Sequence, residues 1–370
     1  MTPIRKPWKK GEFTNRERFN RQMHFQPVDR SFNMEFGYWD ECYTQWDIFV
    51  KNGIKDRGAA NEFFGFDFLG VESGVTWMDP PFPYKELERR GNKIIMQNED
   101  GVIGERTIEF ASIPHFIKSP IETPDDWLKT KKERFDVNSP ARKIDVQKWM
   151  EYYPKNRTNP IGINCGSMIG KIRDLLTFEG VCYAWMDYPE MIEDMVETCC
   201  VMTEHLLDQV LGYVDFDFAH GWEDICFNHG PILPPSFFEE VVAPRYKRIS
   251  KRLLNHGIDL WYTDCDGDVR PLLQMFLDSG INCMFPYEVN SCTHPGELLD
   301  QYPNLRIMGG VDKLKLIEGQ KATKAYMESL VPYVKRGGFI PFVDHLCPPD
   351  VTPENYLYYL ELKEKLFGEW

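Results

Sequence analysis

The chain contains ten cysteines but no Cys-x-x-Cys pair. This absence excludes a structural zinc site of the type that uses such pairs. No run of the roughly 20 apolar residues needed for a membrane-spanning helix is present. The basic start at residues 1–13 is not followed by an apolar segment, so it does not resemble a secretory signal. We therefore expect a cytoplasmic protein whose cysteines are mostly reduced thiols.

Positive charge is also scarce: the chain has 43 Lys and Arg residues but 57 Asp and Glu residues, which gives a net charge of -14. Such a surface repels phosphate backbones, which disfavours nucleic-acid binding. Hydrophobic residues make up 42% of the 370 residues, enough for a packed core. The length suits one barrel-type α/β domain with insertions or two domains of ordinary size.

From about residue 159, short apolar runs alternate with amphipathic helices, a pattern typical of parallel strands. We predict strands at 161–167, 213–219, 259–264, 281–286, 305–312 and 338–344. A further strand is predicted at 32–36, and an eighth is expected between 170 and 185. No Gly-rich phosphate turn follows the first of these strands, which favours a (β/α)8 barrel over a doubly wound sheet.

Residues 70–120 differ, because polar and apolar residues alternate and turn residues recur. The Glu99-Asp100-Gly101 stretch predicts a hairpin turn between two strands. The prediction is an α/β fold of one (β/α)8 barrel domain over residues 1–370. It would carry an N-terminal helical extension over about 12–30 and an antiparallel β insertion at about 70–155.

Carboxylates or a histidine end nearly every predicted strand, and in a barrel these ends meet at the mouth where active sites lie. Candidates for catalysis are Glu35, Glu223, Asp224, Glu288 and His345. Candidates for binding a substrate are Trp39, Trp222, Trp261, Tyr287 and Asp344. Converging carboxylates repel one another, so they need a cation, protons or a cationic substrate to coexist.

The same residues have structural interpretations. Polar strand ends often face solvent, and the aromatic residues could belong to a bulky core. Asp264 and Asp266 could cap the helix expected near Val269. They are two residues apart at a strand end, however, so their side chains point the same way, which favours a shared ligand.

Several segments, in chain order, resemble the uroporphyrinogen decarboxylase superfamily. They are Arg16 to Phe19 with Pro27 to Arg30, Leu233 to Ser236 with Pro244 to Lys247, Tyr262 to Asp268, Met308 to Asp312, and His345 to Asp350 with Thr352 to Asn355. The resemblance covers most of the chain and implies a (β/α)8 barrel, in agreement with the periodicity.

The decarboxylases of this superfamily carry an arginine-rich segment after the first strand, where this chain has Glu35 to Glu41 without arginine. That difference opposes binding of an anionic tetrapyrrole. The chain looks closer to the cobalamin-dependent methyltransferases, which bind zinc through one His and two Cys. The resemblance places Asp264, Asp266 and His345 at those three positions, which implies a harder zinc site or another divalent cation.

This resemblance implies a metal-assisted methyltransferase that moves a methyl group from a small donor, such as a methoxyaromatic compound, to cobalamin on a partner corrinoid protein. Related barrels often pair, so a homodimer is also implied. One alternative is a decarboxylase of a small carboxylic acid or a tetrapyrrole, with the carboxylates as acid/base groups. Another is a non-catalytic, ligand-binding barrel.

Overall fold

The computed structural model describes residue 8, residues 11–108 and residues 114–369. The strands in these parts are β1 (Gly70–Glu72), β2 (Lys85–Arg90), β3 (Lys93–Gln97), β4 (Ile103–Thr107), β5 (His115–Lys118), β6 (Ile161–Asn164), β7 (Phe218–Trp222), β8 (Cys226–Phe227), β9 (Gly230–Pro231), β10 (Trp261–Asp264), β11 (Cys283–Tyr287), β12 (Arg306–Val311) and β13 (Phe339–Val343).

The helices of the same parts are α1 (Asn15–Met23), α2 (Asp40–Gln45), α3 (Asp47–Asn52), α4 (Arg57–Phe64), α5 (Pro124–Arg134), α6 (Val146–Tyr152), α7 (Gly170–Leu176), α8 (Phe178–Asp187), α9 (Pro189–Val210), α10 (Pro235–Phe237), α11 (Ala243–Asn255), α12 (Arg270–Asp278), α13 (Pro295–Gln301), α14 (Lys313–Glu318), α15 (Gln320–Arg336) and α16 (Pro353–Phe367). A π-helical turn, Phe238–Val242, joins α10 to α11. None of the described helices combines the length and the apolar character required to cross a lipid bilayer.

A seven-stranded parallel sheet forms the centre of the fold, in the order β1-β6-β7-β10-β11-β12-β13. All neighbouring pairs in this sheet run parallel. The predicted α/β class with a parallel sheet is therefore confirmed, and each of the six strands predicted after residue 159 overlaps an observed one. The largest shift is in β7, which begins at Phe218 rather than at residue 213.

Two of the eight predicted strands are absent from the described residues. The segment between 170 and 185 forms α7 and α8, because Ile172, Leu175 and Leu176 recur with helical spacing and are buried on one side. The seventh strand is instead β1, a three-residue element too short to leave a pattern in the sequence. A closed eight-stranded barrel is thus not shown; the seven strands form an incomplete one.

Residues 32–36 are extended but form no strand ladder. Side chains take the hydrogen bonds that a neighbouring strand would otherwise make. Gln22 Oε1 accepts from Phe32 N at 2.6 Å, Asp67 Oδ2 accepts from Asn33 N at 2.9 Å, and Glu35 Oε2 accepts from Val343 N at 3.3 Å. The segment therefore lies between the two edges of the sheet without pairing with them.

An antiparallel sheet, β2-β3-β4-β5, follows β1, as predicted for this region. The turn at residues 98–101 joins β3 to β4 in the expected hairpin. The antiparallel part begins only at Lys85, since Gly70 to Glu72 belongs to the central sheet.

Apolar residues pack on both faces of the central sheet. A large cluster lies between the sheet and the surrounding helices. A smaller cluster fills the inner side of the curl, and Phe19 and Met23 of α1 contribute to it. Arg306 Nε, at the start of β12, donates to Met23 O at 2.7 Å, so α1 covers the amino ends of the strands. The opposite, carboxyl end of the curl is left for a site.

Candidate acidic site at the carboxyl ends of the strands

Three aspartates and one histidine gather where β7, β10 and β13 end. Asp224 follows β7, Asp264 ends β10, Asp266 comes two residues later and His345 follows β13. Asp264 and Asp266 are each partly buried, so their charges are only partly screened by water. Four residues predicted from the sequence are therefore brought together by the fold; we call them the acidic group.

Asp264 is the most perturbed member of this group. Burial raises its pKa, and the charges of Asp266 and Asp224 raise it further, to about 8, although His345 opposes them. A carboxyl group with such a pKa carries its proton at neutral pH, so it can donate a hydrogen bond or a proton.

Asp266 and His345 form a contact pair, with His345 Nε2 at 3.3 Å from Asp266 Oδ2. Burial disfavours the charged form of His345, but the hydrogen bond and the charge of Asp266 outweigh it and raise the imidazole pKa. The second oxygen, Asp266 Oδ1, is buried and has no hydrogen-bond partner among the described residues. An unsatisfied carboxylate oxygen beside a histidine is a group that a ligand can reach.

Asp224 adopts a φ of 44°, in the left-handed region that few non-glycine residues occupy. Its carboxylate accepts from Arg173 Nη1 at 3.0 Å. Burial raises the Asp224 pKa, and Asp266 adds to that effect, whereas Arg173 lowers it. The α7 helix thus supplies the cation that holds this strained member of the acidic group in place.

The metal ligands implied by the resemblance do not assemble into a metal centre. Among residues 8, 11–108 and 114–369, no three His, Cys, Asp or Glu side chains are arranged to hold a metal ion. Only Asp266 and His345 of the expected set make a contact pair. The expected set of Asp264, Asp266 and His345 thus does not fit a three-ligand centre in this arrangement.

A cavity of about 640 Å³ opens beside the acidic group. Its apolar lining includes Met34, Phe36, Leu69, Val71, Tyr262 and Phe285. Tyr262 precedes Asp264 by two residues on the same face of β10. The Phe36 ring lies 5.4 Å from the His345 ring, centroid to centroid. Phe36 and Tyr262 therefore connect the cavity to the acidic group, although none of the four members of that group is among the residues that line the cavity.

Glu35 also borders this cavity, but its carboxylate is already occupied. Oε1 accepts from Lys363 Nζ at 2.6 Å and from Tyr359 Oη at 2.7 Å, and both partners are fully buried. Burial lowers the pKa of Lys363, while Glu35 raises it in opposition. This ion pair gives the Glu35 carboxylate the partner that a charged group among apolar residues requires.

Glu223 is buried beneath the acidic group and binds the first turn of α7. Its carboxylate accepts from the backbone N–H groups of Met168, Ile169 and Gly170 at 2.7, 2.9 and 2.9 Å. A Cβ on Gly170 would lie 2.1 Å from the carbonyl oxygen of Glu223, so only glycine allows this approach. The geometry is that of a buried helix cap, away from the cavity wall.

Glu288 and Asp344 share one cation. Lys313 Nζ lies 3.3 Å from Glu288 Oε1 and 3.6 Å from Asp344 Oδ1. Asp344 also accepts from the backbone N–H groups of Val289 and Lys313. Burial raises the pKa of Asp344 to about 6, and Lys313 opposes that rise. Asp344 directly precedes His345 in the chain, and the charge of Glu288 helps to raise the pKa of His345. The network is therefore coupled to the acidic group.

The aromatic residues predicted to wall a pocket are distributed over different surroundings. Trp222 stacks near Arg173, with 5.4 Å between the guanidinium carbon and the ring centroid. Trp261 packs outward against Tyr246 of α11, and Tyr287 is buried in the larger core cluster. Trp39 is 43% exposed beside α2. Of these aromatic residues, Trp222 is closest along the chain to a member of the acidic group, since it precedes Asp224 by two residues.

The cavity wall contains residues that the sequence argument did not select. Successive side chains of a strand point to opposite faces, so Tyr262 faces inward while Trp261 faces the helices. Because Tyr262 is two residues before Asp264, its inward direction could have been predicted from that of Asp264. Phe36 and Arg57 left no such signal, since they reach the cavity through the irregular segment and through α4. His220 lies one layer below, with its ring 4.9 Å from that of Tyr262, and burial lowers its pKa to about 4.

No family model matches the chain, and no protein of curated function matches it. A similar solved structure is a methyltransferase from Methanosarcina mazei, with 12% sequence identity and a TM-score of 0.56. The match covers 96% of this chain and 99% of that chain. At this identity the likeness shows a shared fold over nearly the whole length of both chains.

Proposed function

We propose that this chain is a methyltransferase that takes a methyl group from a small methyl ether and passes it to the corrinoid of a partner protein. The observation that carries the proposal is the position of Asp264, a carboxyl group whose pKa is raised to about 8 by burial and by its acidic neighbours, near a cavity with a mostly apolar wall. The fold shared with a methyltransferase and the resemblance of the ordered segments support it. We also propose that residues 32–36, which pair with neither edge of the sheet, fill the gap between those edges and so complete a barrel around this site.

A methyl ether is a poor methyl donor until its oxygen is protonated, because an alkoxide or phenoxide leaves slowly. In the proposed step, the carbon–oxygen bond of the ether breaks; the corrinoid of the partner would accept the methyl group and would supply the electron pair of the new bond. The ether oxygen keeps the pair of the broken bond and takes the proton of Asp264. Asp264 then regains a proton from solvent. General acid catalysis of this kind contributes about 10²–10⁴-fold.

The other members of the acidic group position that proton. Asp266 and Asp224 keep Asp264 protonated by repulsion, and Asp266 is held by its contact with His345. If His345 is protonated as well, its imidazolium stabilises the negative charge that remains on Asp264 after proton transfer. In the proposed complex, Phe36, Tyr262 and Phe285 of the cavity wall would pack against the methoxy end of the donor and shield it from solvent.

The test uses free cob(I)alamin as the acceptor and methoxybenzene as the donor, with methylcobalamin followed by absorbance and phenol by chromatography. We expect both products with the unaltered chain and a loss of about 100-fold or more in Asp264→Asn. Asp187→Asn, an exposed aspartate at the end of α8, is the matched control and should keep full rate. Equal rates in Asp264→Asn and the control would overturn the proposal.

Two further arms separate the remaining possibilities. Metal analysis and treatment with a chelator test for the divalent cation, zinc above all, that the resemblance implies. The metal-assisted version would be favoured by a stoichiometric ion that is lost in Asp264→Ala, together with activity that the chelator removes from the unaltered chain and added zinc restores. Carbon dioxide release from a methoxybenzoate without corrinoid would favour the decarboxylase, in which the same proton of Asp264 would be given to a carbanion.

A further inference from the structure

The cavity beside the acidic group carries one cation without a counter-ion at its rim. Arg57, the first residue of α4, is exposed and lines the cavity. Its Nη1 donates to the backbone oxygen of Phe36 at 3.1 Å. Within the described ranges it forms no ion pair with a carboxylate. By contrast Arg30, close by, holds Asp67 through two contacts of 2.6 and 2.9 Å.

The acids of the cavity lining are mostly neutralised. Glu35 is paired with Lys363, and Asp67 with Arg30. Glu62, which is exposed on α4, is the remaining acid among the described lining residues. The rim therefore presents one arginine and one exposed glutamate, and the wall below them is mostly apolar apart from Asn61, whose Oδ1 has no hydrogen-bond partner among the described residues.

Phe36 connects this rim to the proposed reacting end. Its backbone oxygen contacts Arg57, and its ring contacts the His345 ring. A flat molecule lying along Phe36 would therefore have one end at the guanidinium and would point its other end toward His345 of the acidic group. The guanidinium is planar and binds carboxylates through two parallel hydrogen bonds, which also fixes the direction of the bound molecule.

We propose that Arg57 binds the carboxylate of an aromatic acid, so that the substrate is a methoxybenzoate held with its methoxy group toward Asp264. The apolar wall takes the ring, and Arg57 takes the anionic end. The identity of the reacting group rests on the proposed function, whereas the anion site rests on the cavity, its neutralised acids and the free cation at the rim.

The experiment measures binding by calorimetry, without any corrinoid, of 4-methoxybenzoate and of methoxybenzene. In Arg57→Gln we expect the Kd for 4-methoxybenzoate to rise about tenfold or more, with the Kd for methoxybenzene unchanged. Glu62→Gln should tighten 4-methoxybenzoate by about twofold, since it removes a like charge. Arg106→Gln, an exposed arginine on β4, is the matched control and should leave both constants within about twofold.

An unchanged Kd for 4-methoxybenzoate in Arg57→Gln would overturn the anion site, as would an equal weakening of methoxybenzene, which would indicate lost packing. Tighter binding of phenyltrimethylammonium than of 4-methoxybenzoate would also overturn it. If the binding pattern holds but no methylcobalamin forms, the methyl transfer fails and the anion site stands. If the unaltered chain and Arg57→Gln demethylate methoxybenzene at the same rate while 4-methoxybenzoate does not bind to either, the anion site alone fails.

Discussion

Asp264 shows how burial and neighbouring charges change the pKa of an ordinary carboxyl group. In water an aspartate ionises near pH 4. Here burial and two neighbouring aspartates raise its pKa to about 8. Functional sites concentrate such shifts, because catalysis needs groups whose protonation state differs from that in water.

The raised pKa of Asp264 has a stability consequence with a definite sign. The unfolded chain releases this proton near pH 4, but the folded chain holds it to about pH 8, so stability falls as the pH rises through this window. Asp264→Asn cannot ionise. We expect its free energy of unfolding, relative to the unaltered chain, to increase by roughly 2–4 kcal/mol between pH 5 and pH 8.5.

Denaturant unfolding of both chains at the two pH values measures this difference. The exposed control Asp187→Asn should show the same difference from the unaltered chain at both pH values. A difference between Asp264→Asn and the unaltered chain that does not change with pH would mean that Asp264 is ionised at neutral pH, and the proton donor of the proposed mechanism would be lost with it.

At the scale of elements, the start of α7, which follows β6, is held by the side chain of Glu223, which follows β7. Glu223 accepts three backbone N–H groups at the start of this helix, and Ser167 Oγ contacts it at 3.2 Å. Burial raises the pKa of Glu223, while these backbone bonds lower it. Because α7 also carries Arg173, which binds Asp224, the cap contributes to the geometry of the acidic group.

Replacing this cap should therefore act mainly on stability. Glu223→Gln replaces one acceptor oxygen with an amide that faces backbone donors, and we expect a loss of about 2–4 kcal/mol in the free energy of unfolding. Hydrogen exchange should lose protection first at Met168, Ile169 and Gly170. Glu133→Gln on α5, an exposed glutamate, serves as control. Full stability combined with lost methyl transfer would instead favour the catalytic role expected from the sequence.

The whole molecule combines two sets of perturbed acids. Burial raises the pKa of Asp224, Glu223, Asp264 and Asp344. Hydrogen bonds and ion pairs lower the pKa of others, among them Asp259, beside His24. The first set destabilises the fold as the pH rises, for Asp344 up to about pH 6 and for Asp264 up to about pH 8, and the second set as the pH falls below about 4. The net charge of -14 adds repulsion at high pH.

We therefore expect the thermal stability of the chain to be greatest near pH 5, with a Tm about 5 °C lower at pH 8.5. Calorimetric scans between pH 4 and pH 9 in a buffer with a chelator measure it. A Tm that rises steadily from pH 5 to pH 8.5 would contradict the raised pKa values. In Asp264→Asn the decline above pH 6 should be shallower.

The local pattern of the sequence determined much of this protein. The alternation of apolar runs and amphipathic helices predicted the parallel sheet, because buried strands must be apolar and their crossovers helical. The spacing of Asp264 and Asp266 predicted two neighbouring carboxyl groups, and their charges do interact. The turn at 99–101 predicted the β3–β4 hairpin.

Only the tertiary structure decided what each polar group contacts, because those contacts join residues far apart in the chain. It showed Glu223 bound to α7 and Glu35 to Lys363. It kept residues 32–36 out of the sheet, since the side chains of Gln22, Glu35 and Asp67 take the hydrogen bonds there. It also brought Arg57 to the cavity rim. Burial and charge depend on such distant neighbours, and they determine which of the predicted carboxylates hold a proton.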